Sequence, residues 1–153
     1  MTISNNIAIT TPTCVVQNPS VTVNLPKVAA NALPSPDSAA GATPFDINLL
    51  CSGAKVSYTV SGNQLSSGYY SLLVPNTGSG AATGVWIDIQ DRTTNPWSGI
   101  QLNTGQYLLG DTTGQSNVPL TIKLAARYYR INSATVVNAG TVTANANLNL
   151  SYQ

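Results

Sequence analysis

The feature that most constrains this chain is a run of strict alternation at its end. Positions 140–153 read GTVTANANLNLSYQ, in which every second residue is apolar or aromatic. A period of two places these side chains on one face of a β-strand. The residues concerned are Val142, Ala144, Ala146, Leu148, Leu150 and Tyr152. We therefore expect a long, half-buried strand whose second edge must be covered by some other segment, because no later residues of this sequence could cover it.

Shorter alternating runs recur along the chain and predict an all-β fold. They are Val21 to Leu25, Phe45 to Cys51, Val56 to Val60, Ser67 to Val74, Val85 to Ile89 and Leu120 to Tyr128, with shorter candidates at positions 100–102 and 107–109. We expect the runs at 45–51 and 56–60 to form a hairpin or two closely spaced strands, and 31–43 to be a surface connection. Because no window has helical spacing, and Gly and Pro separate the runs, the sequence predicts a β-sandwich in one domain spanning residues 1–153.

Composition argues against several function classes. Charged residues make up 7% of the chain and the net charge is +1, so no electrostatic field favours nucleic acid. No apolar run approaches the ~20 residues of a membrane-spanning helix. Asn, Thr, Ser and Gln supply the polarity, which is typical of strand surfaces and favours an extracellular protein. Positions 1–11 lack the basic start and apolar centre of a signal peptide, so we expect that the signal peptide of a secreted precursor has been removed.

The residues for catalysis or metal binding are scarce. The chain contains no His and no Glu, and we expect its five Asp residues to lie mostly in loops. Asp88 and Asp91 are too sparse a ligand set for calcium. We therefore expect no catalytic residues, no metal site and no cofactor, and we predict that the protein is not an enzyme.

Cys14 and Cys51 are the two cysteines of the chain. They could be two unrelated thiols, but each lies at the end or start of a strand-like run, which favours a structural disulfide. A disulfide between them would close a loop of about 38 residues and stabilise the fold by about 4 kcal/mol in the chain-entropy model.

Aromatic residues suggest a second function class. Trp97 follows Pro96 in a loop, and Trp97, Tyr69 and Tyr70 could stack on sugar rings. These residues offer a carbohydrate-binding lectin domain as one possible function class.

The order of several of these motifs resembles a known family. Cys14 is followed by Val21, Val23 and Leu25 with Pro26, then by Phe45, Ile47, Leu49 and Cys51, and finally by the Gly140 to Tyr152 run with its penultimate Tyr. This arrangement is similar to the pilin domain of chaperone–usher (type 1-like) fimbriae, and it covers nearly the whole chain.

The resemblance implies an incomplete immunoglobulin-like β-sandwich that lacks its seventh strand, with the two cysteines bridging the first two strands. It also implies that the six alternating residues of the last strand border an open hydrophobic groove. A periplasmic fimbrial chaperone, and later the donor strand of a neighbouring fimbrial subunit guided by an outer-membrane usher, would fill that groove. The expected location is a fimbrium on the cell surface, reached through the periplasm, where the protein takes part in cell adhesion.

The N-terminus supports two interpretations. Ile3, Ile7 and Ile9 share one parity, so residues 1–13 could be a donor strand, although the Gly of the family's donor pattern is missing. Alternatively, residues 1–13 could be the linker and first strand of the C-terminal pilin domain of a two-domain adhesin.

Overall fold

The structure, a computed structural model, describes residues 13–66, 68–93, 98–133 and 136–153. Among these residues the regular elements are almost all strands, with one short 3-10 helix at Ala30–Ala32. The strands are β1 (Thr13–Val16), β2 (Ala39–Ser52), β3 (Lys55–Gly62), β4 (Leu72–Leu73), β5 (Trp86–Asp91), β6 (Ser98–Gly99), β7 (Tyr107–Asp111), β8 (Val118–Tyr129) and β9 (Ala146–Tyr152). The all-β prediction is confirmed.

The strands form two sheets. The larger sheet has the order β1-β2-β8-β5-β4, with β6 also paired to β5, and the smaller sheet has the order β7-β3-β9. The inward faces of both sheets supply the core. Its buried residues include Leu49, Ile87, Ile89, Ile122 and Leu124 from the larger sheet and Val56, Tyr58 and Val60 from the smaller one.

The chain passes from one sheet to the other between β2 and β3. The two runs are therefore closely spaced strands, one of the two predicted alternatives, and the other alternative, a hairpin, is wrong. Gly53 lies at the crossing with a φ of 77°, a left-handed conformation that glycine adopts without strain. Its N–H points toward the carbonyl oxygens of Thr112 and Gln115, each at 3.1 Å. The turn is thus bonded to the loop after β7 and directs β3 into the second sheet.

Four further segments differ from the sequence expectations. Residues 21–25 do not belong to a strand, although Val23 and Leu25 pack against the core. β2 begins at Ala39, inside the segment expected to be a surface connection. Of the described residues 68–74, only Leu72–Leu73 is a strand, and the strand candidate at 100–102 is not one, since β6 ends at Gly99. Alternation reports which side chains face inward, and it does not report whether the backbone has a neighbour to pair with.

The expectation that the aspartates lie mostly in loops is also wrong. Asp46, Asp88, Asp91 and Asp111 all lie in strands. Asp88 is buried on β5, where it accepts hydrogen bonds from the Ser71 hydroxyl at 2.6 Å and from Nε of Arg127 at 2.8 Å. A buried carboxylate is tolerated there because the guanidinium compensates its charge and the hydroxyl donates a hydrogen bond to it.

Cys14 and Cys51 form a disulfide with an S–S distance of 2.01 Å. The two residues are directly opposite each other on the antiparallel strands β1 and β2, and Cys51 is fully buried, as its parity predicts. The bond ties the first strand of the larger sheet to its neighbour. No helix among the described residues has the length and apolar character needed to span a membrane.

Candidate functional site at the free edge of the last strand

In the part of the chain that the structure describes, β9 pairs with a neighbouring strand on one side only. Within the described residues, its pairing partner is β3, in a register that runs from Val56 opposite Tyr152 to Gly62 opposite Ala146. Just past this ladder, Lys55 and Gln153 exchange two backbone hydrogen bonds of 2.9 Å each. Hydrogen-bonded pairs alternate in antiparallel strands, so the odd-numbered residues of β9 bond β3 and the even-numbered ones direct their N–H and C=O groups to the opposite, free edge.

The residues just before β9 continue this geometry on a different support. Thr143 accepts a hydrogen bond from the Asn76 N–H at 2.8 Å and donates its own N–H to Oδ1 of Asn76 at 2.6 Å. Thr141 bonds Gly80 and Ala82 through its backbone, at 2.9 Å in both cases. The odd-numbered residues are again the bonded ones, so Val142 and Ala144 direct their backbone groups to the free edge.

The prediction of one strand across 140–153 is therefore correct only from Ala146 onward. The smaller sheet cannot extend further, because β3 ends at Gly62, directly opposite Ala146. Residues 138–144, which we call the pre-strand segment, lie against residues 76–83 instead.

The free edge opens onto a groove of about 740 Å³, which we call the edge groove. One wall is formed by residues 16–25 and the other by residues 142–150. Its floor reaches the core at Val60, Leu73 and Ile89, whose exposed fractions are 5%, 3% and 6%. The remaining floor residues are Phe45, Ile47, Ile87, Leu124, Ala126 and Tyr128. As far as the described residues show, the two sheets are open along this side, down to residues that are otherwise enclosed.

The structure brings five of the six predicted edge residues to this groove. Val142, Ala144, Leu148 and Leu150 line it and are half-buried against the core, while Ala146 lines it and is exposed. The sixth, Tyr152, lies beyond the end of the groove, where its hydroxyl accepts a hydrogen bond from the Cys14 N–H at 2.9 Å. This bond joins the last strand of one sheet to the first strand of the other.

Sequence reasoning missed the opposite wall. The alternation of Val21, Val23 and Leu25 was the available signal, but it predicted a paired strand rather than one side of a groove. The Asn18 side chain helps to hold this wall against β2, since its Nδ2 donates to the Asp46 carbonyl at 3.0 Å and its Oδ1 accepts from the Asn48 N–H at 2.8 Å.

A smaller cavity of about 150 Å³ adjoins the edge groove at Tyr128 and Val142. Its lining also includes Leu33, Val85 and Val137. Burial raises the pKa of Tyr128, so this ring stays neutral, and its hydroxyl donates to the Pro26 carbonyl at 3.1 Å. The apolar surface therefore continues past the pre-strand segment.

The residues predicted to stack on sugars are not assembled into a site by the described structure. The Tyr69 hydroxyl donates to Oδ1 of Asn132 at 2.7 Å, and Tyr70 is 52% exposed. Trp97 lies outside the described residues, as do Ile3, Ile7 and Ile9. In the part of the chain that the structure describes, no group of three or more His, Cys, Asp or Glu side chains could hold a metal ion.

Comparisons with known proteins agree with this geometry. A family model described as "Fimbrial protein" matches residues 1–153. The fold is similar to that of the P pilus rod subunit PapA, with a TM-score of 0.69 and 18% identity over 92% of this chain and 99% of that one. It is also similar to a type I fimbria protein and antigen of Burkholderia pseudomallei, with a TM-score of 0.62 and 21% identity over 93% of this chain and 99% of that one.

A third similar structure is the CupB6 tip adhesin from Pseudomonas aeruginosa, with a TM-score of 0.66 and 22% identity over 84% of this chain. This chain spans 35% of that adhesin's length. A search for similar sequences among curated proteins found no match. At these identities the structural likeness shows a shared fold.

Proposed function

The chain belongs to the fimbrial protein family, and on that premise we propose that it is a pilin, either a subunit or the pilin domain of an adhesin, completed by a β-strand from another polypeptide. The observation that carries this proposal is the free edge of β9, which opens onto a groove of about 740 Å³ that reaches the core. The function is structural assembly of a bacterial chaperone–usher fimbria involved in cell adhesion, and it requires no catalysis.

The edge groove offers both kinds of contact that an added strand needs. The even-numbered residues from Val142 to Leu150 present backbone groups that have no strand partner among the described residues, and their side chains line the groove. A strand laid along this edge would extend the smaller sheet by backbone hydrogen bonds, and every second side chain would enter the groove. Without such a strand, the edge is a long unprotected template for non-specific pairing.

The need for an added strand determines the order in which the partner proteins would bind. A periplasmic chaperone would supply the first strand, because the subunit with an open groove exposes apolar surface and is prone to aggregate. A neighbouring fimbrial subunit would replace that strand during assembly at an outer-membrane usher. The assembled protein would lie in a fimbrium at the cell surface. No contact among the described residues favours the alternative function, a carbohydrate-binding lectin domain of a fimbrial adhesin.

The candidate donor segment predicted at residues 1–13 is shortened to residues 1–12, because Thr13 belongs to β1. Ile3, Ile7 and Ile9 share one parity, as the inward side chains of an added strand must. A segment of this length, at about 3.3 Å per residue, matches the edge from Val142 to Tyr152. The competing interpretation, a linker from a receptor-binding domain, requires no fit to the groove.

The test appends a second copy of residues 1–12 after Gln153 through a short flexible turn. The appended strand would then run antiparallel to β9 at high effective concentration. We expect the melting temperature to rise by roughly 5–10 °C, as for a ligand present at about a hundred times its dissociation constant. Ile7→Asp in the appended copy should abolish the gain, whereas the outward-facing control Ala8→Asp should preserve it.

The control outcomes separate the two interpretations. If the appended segment gives no gain but an appended strand that alternates valine with lysine does, then the edge groove accepts strands and residues 1–12 are a linker. If neither strand raises the melting temperature, the proposal of strand docking is wrong.

A further inference from the structure

We propose that Asn76 is a positioning residue for strand docking, which holds the pre-strand segment so that Val142 and Ala144 face the incoming strand. The inference rests on the proposed function, and it concerns a residue outside the edge groove. Asn76 does not line the groove, and its contacts are with Thr141 and Thr143.

The smaller sheet cannot hold the pre-strand segment in place, because its strand β3 ends at Gly62. A Cβ atom at Gly62 would lie 2.5 Å from Cδ2 of Leu73 and 3.1 Å from the Asn145 carbonyl oxygen. This crowding marks the point where β3 ends and the chain turns away from the pre-strand segment. Two of the five even-numbered edge residues, Val142 and Ala144, therefore depend on support from another part of the chain.

Asn76 supplies that support with the geometry of a strand. Its N–H donates to the Thr143 carbonyl at 2.8 Å, and its side-chain Oδ1 accepts the Thr143 N–H at 2.6 Å. A residue in an antiparallel sheet exchanges the same two bonds with the residue opposite it, except that here a side-chain oxygen replaces one backbone carbonyl. A third, longer contact of 3.4 Å joins Nδ2 to the Thr141 hydroxyl.

The consequence for docking follows from the alternation of the backbone. Because both polar groups of Thr143 are used on the side facing Asn76, the groups of Val142 and Ala144 on either side of it are directed to the groove. Without Oδ1, the Thr143 N–H loses its acceptor and the segment can rotate. The free edge at Val142 and Ala144 would then no longer match the backbone of an added strand.

The experiment uses the chain with an appended donor strand in two lengths. The long form carries residues 1–12 after Gln153 and reaches Val142, and the short form carries residues 1–7 and covers β9 alone. In the parent, we expect the long form to raise the melting temperature more than the short form. Asn76→Ala should remove the difference between the two forms while leaving the gain from the short form unchanged.

Two control variants isolate the acceptor oxygen. Asn76→Asp keeps an oxygen at the Oδ1 position and should restore the extra gain of the long form. Asn138→Ala removes a neighbouring side-chain bond, from Nδ2 to the Thr83 hydroxyl at 2.8 Å, and should leave that gain intact. Amide hydrogen exchange without any appended strand should show that Asn76→Ala speeds exchange at Thr143 at least tenfold, with no change in β9.

The outcomes distinguish failure of this inference from failure of the proposed function. If Asn76→Ala speeds exchange at Thr143 but the long form keeps its extra gain, the positioning role is wrong and strand docking stands. Exchange at Thr143 that does not change would also overturn the role. If neither length stabilises the parent, both proposals are wrong.

Discussion

Breaking the Cys14–Cys51 disulfide should remove a large part of the free energy that holds this domain together. The two cysteines are 37 residues apart in sequence, and the chain-entropy model assigns about 4 kcal/mol to a loop of that length. A typical domain has only about 5–15 kcal/mol in total. Loss of the disulfide should also destabilise the edge groove, because β1 is only four residues long and leads directly into the wall at residues 16–25.

Urea denaturation, followed by Trp fluorescence, measures the effect in three samples. These are the oxidised parent, the parent reduced with dithiothreitol, and the double variant Cys14→Ala with Cys51→Ala. The reduced parent keeps both sulfur atoms and loses only the cross-link, so we expect a loss of about 4 kcal/mol. The double variant also loses volume at the fully buried Cys51, which should add about 1 kcal/mol.

The comparison of these samples makes the reasoning refutable. If reduction costs less than about 1 kcal/mol, the cross-link does not restrict the unfolded chain as the model requires. If the double variant is much less stable than the reduced parent, packing of the sulfur atoms matters more than the link.

Two further predictions concern β9 and β8. Leu148→Asp places a charge against the core and should prevent strand docking, whereas the neighbouring Asn149→Asp, on the opposite face, should not. A pull-down with the cognate periplasmic chaperone measures capture of the two variants. Normal capture of the Leu148 variant would contradict the inward orientation of this side chain. Arg127→Met leaves the Asp88 carboxylate, whose side chain is 4% exposed, with the Ser71 hydroxyl as its remaining partner, and should lower the free energy of unfolding by about 2 kcal/mol in urea titration. A loss below 0.5 kcal/mol would show that solvent compensates the carboxylate, since the guanidinium is 30% exposed.

The regular alternation was enough to predict the class of fold and one side of the site. An alternation with a period of two residues indicates which side chains face inward. The inward orientation of Leu148, Leu150 and Cys51 could therefore be assigned correctly from the sequence. The same pattern in residues 21–25 predicted a strand that does not form, because packing of a side chain against the core does not require a backbone partner. The β2–β3 crossing was missed for a similar reason, since a short turn containing Gly53 fits both a hairpin and a change of sheet.

Local sequence thus determined that this chain is a β-sandwich whose last residues turn an apolar face to the core. The open groove beside the last strand was expected from the family resemblance and not from local alternation. Among the described residues, the tertiary structure places β9 at the edge of its sheet, and no local pattern could do so, because an edge is defined by the strands that are not adjacent. It also decided how the free edge is held upstream of Ala146: Asn76 and Thr143 are 67 residues apart, and no local pattern links them. Pairing at that distance is fixed by how the two sheets pack, and short-range periodicity carries no information about it.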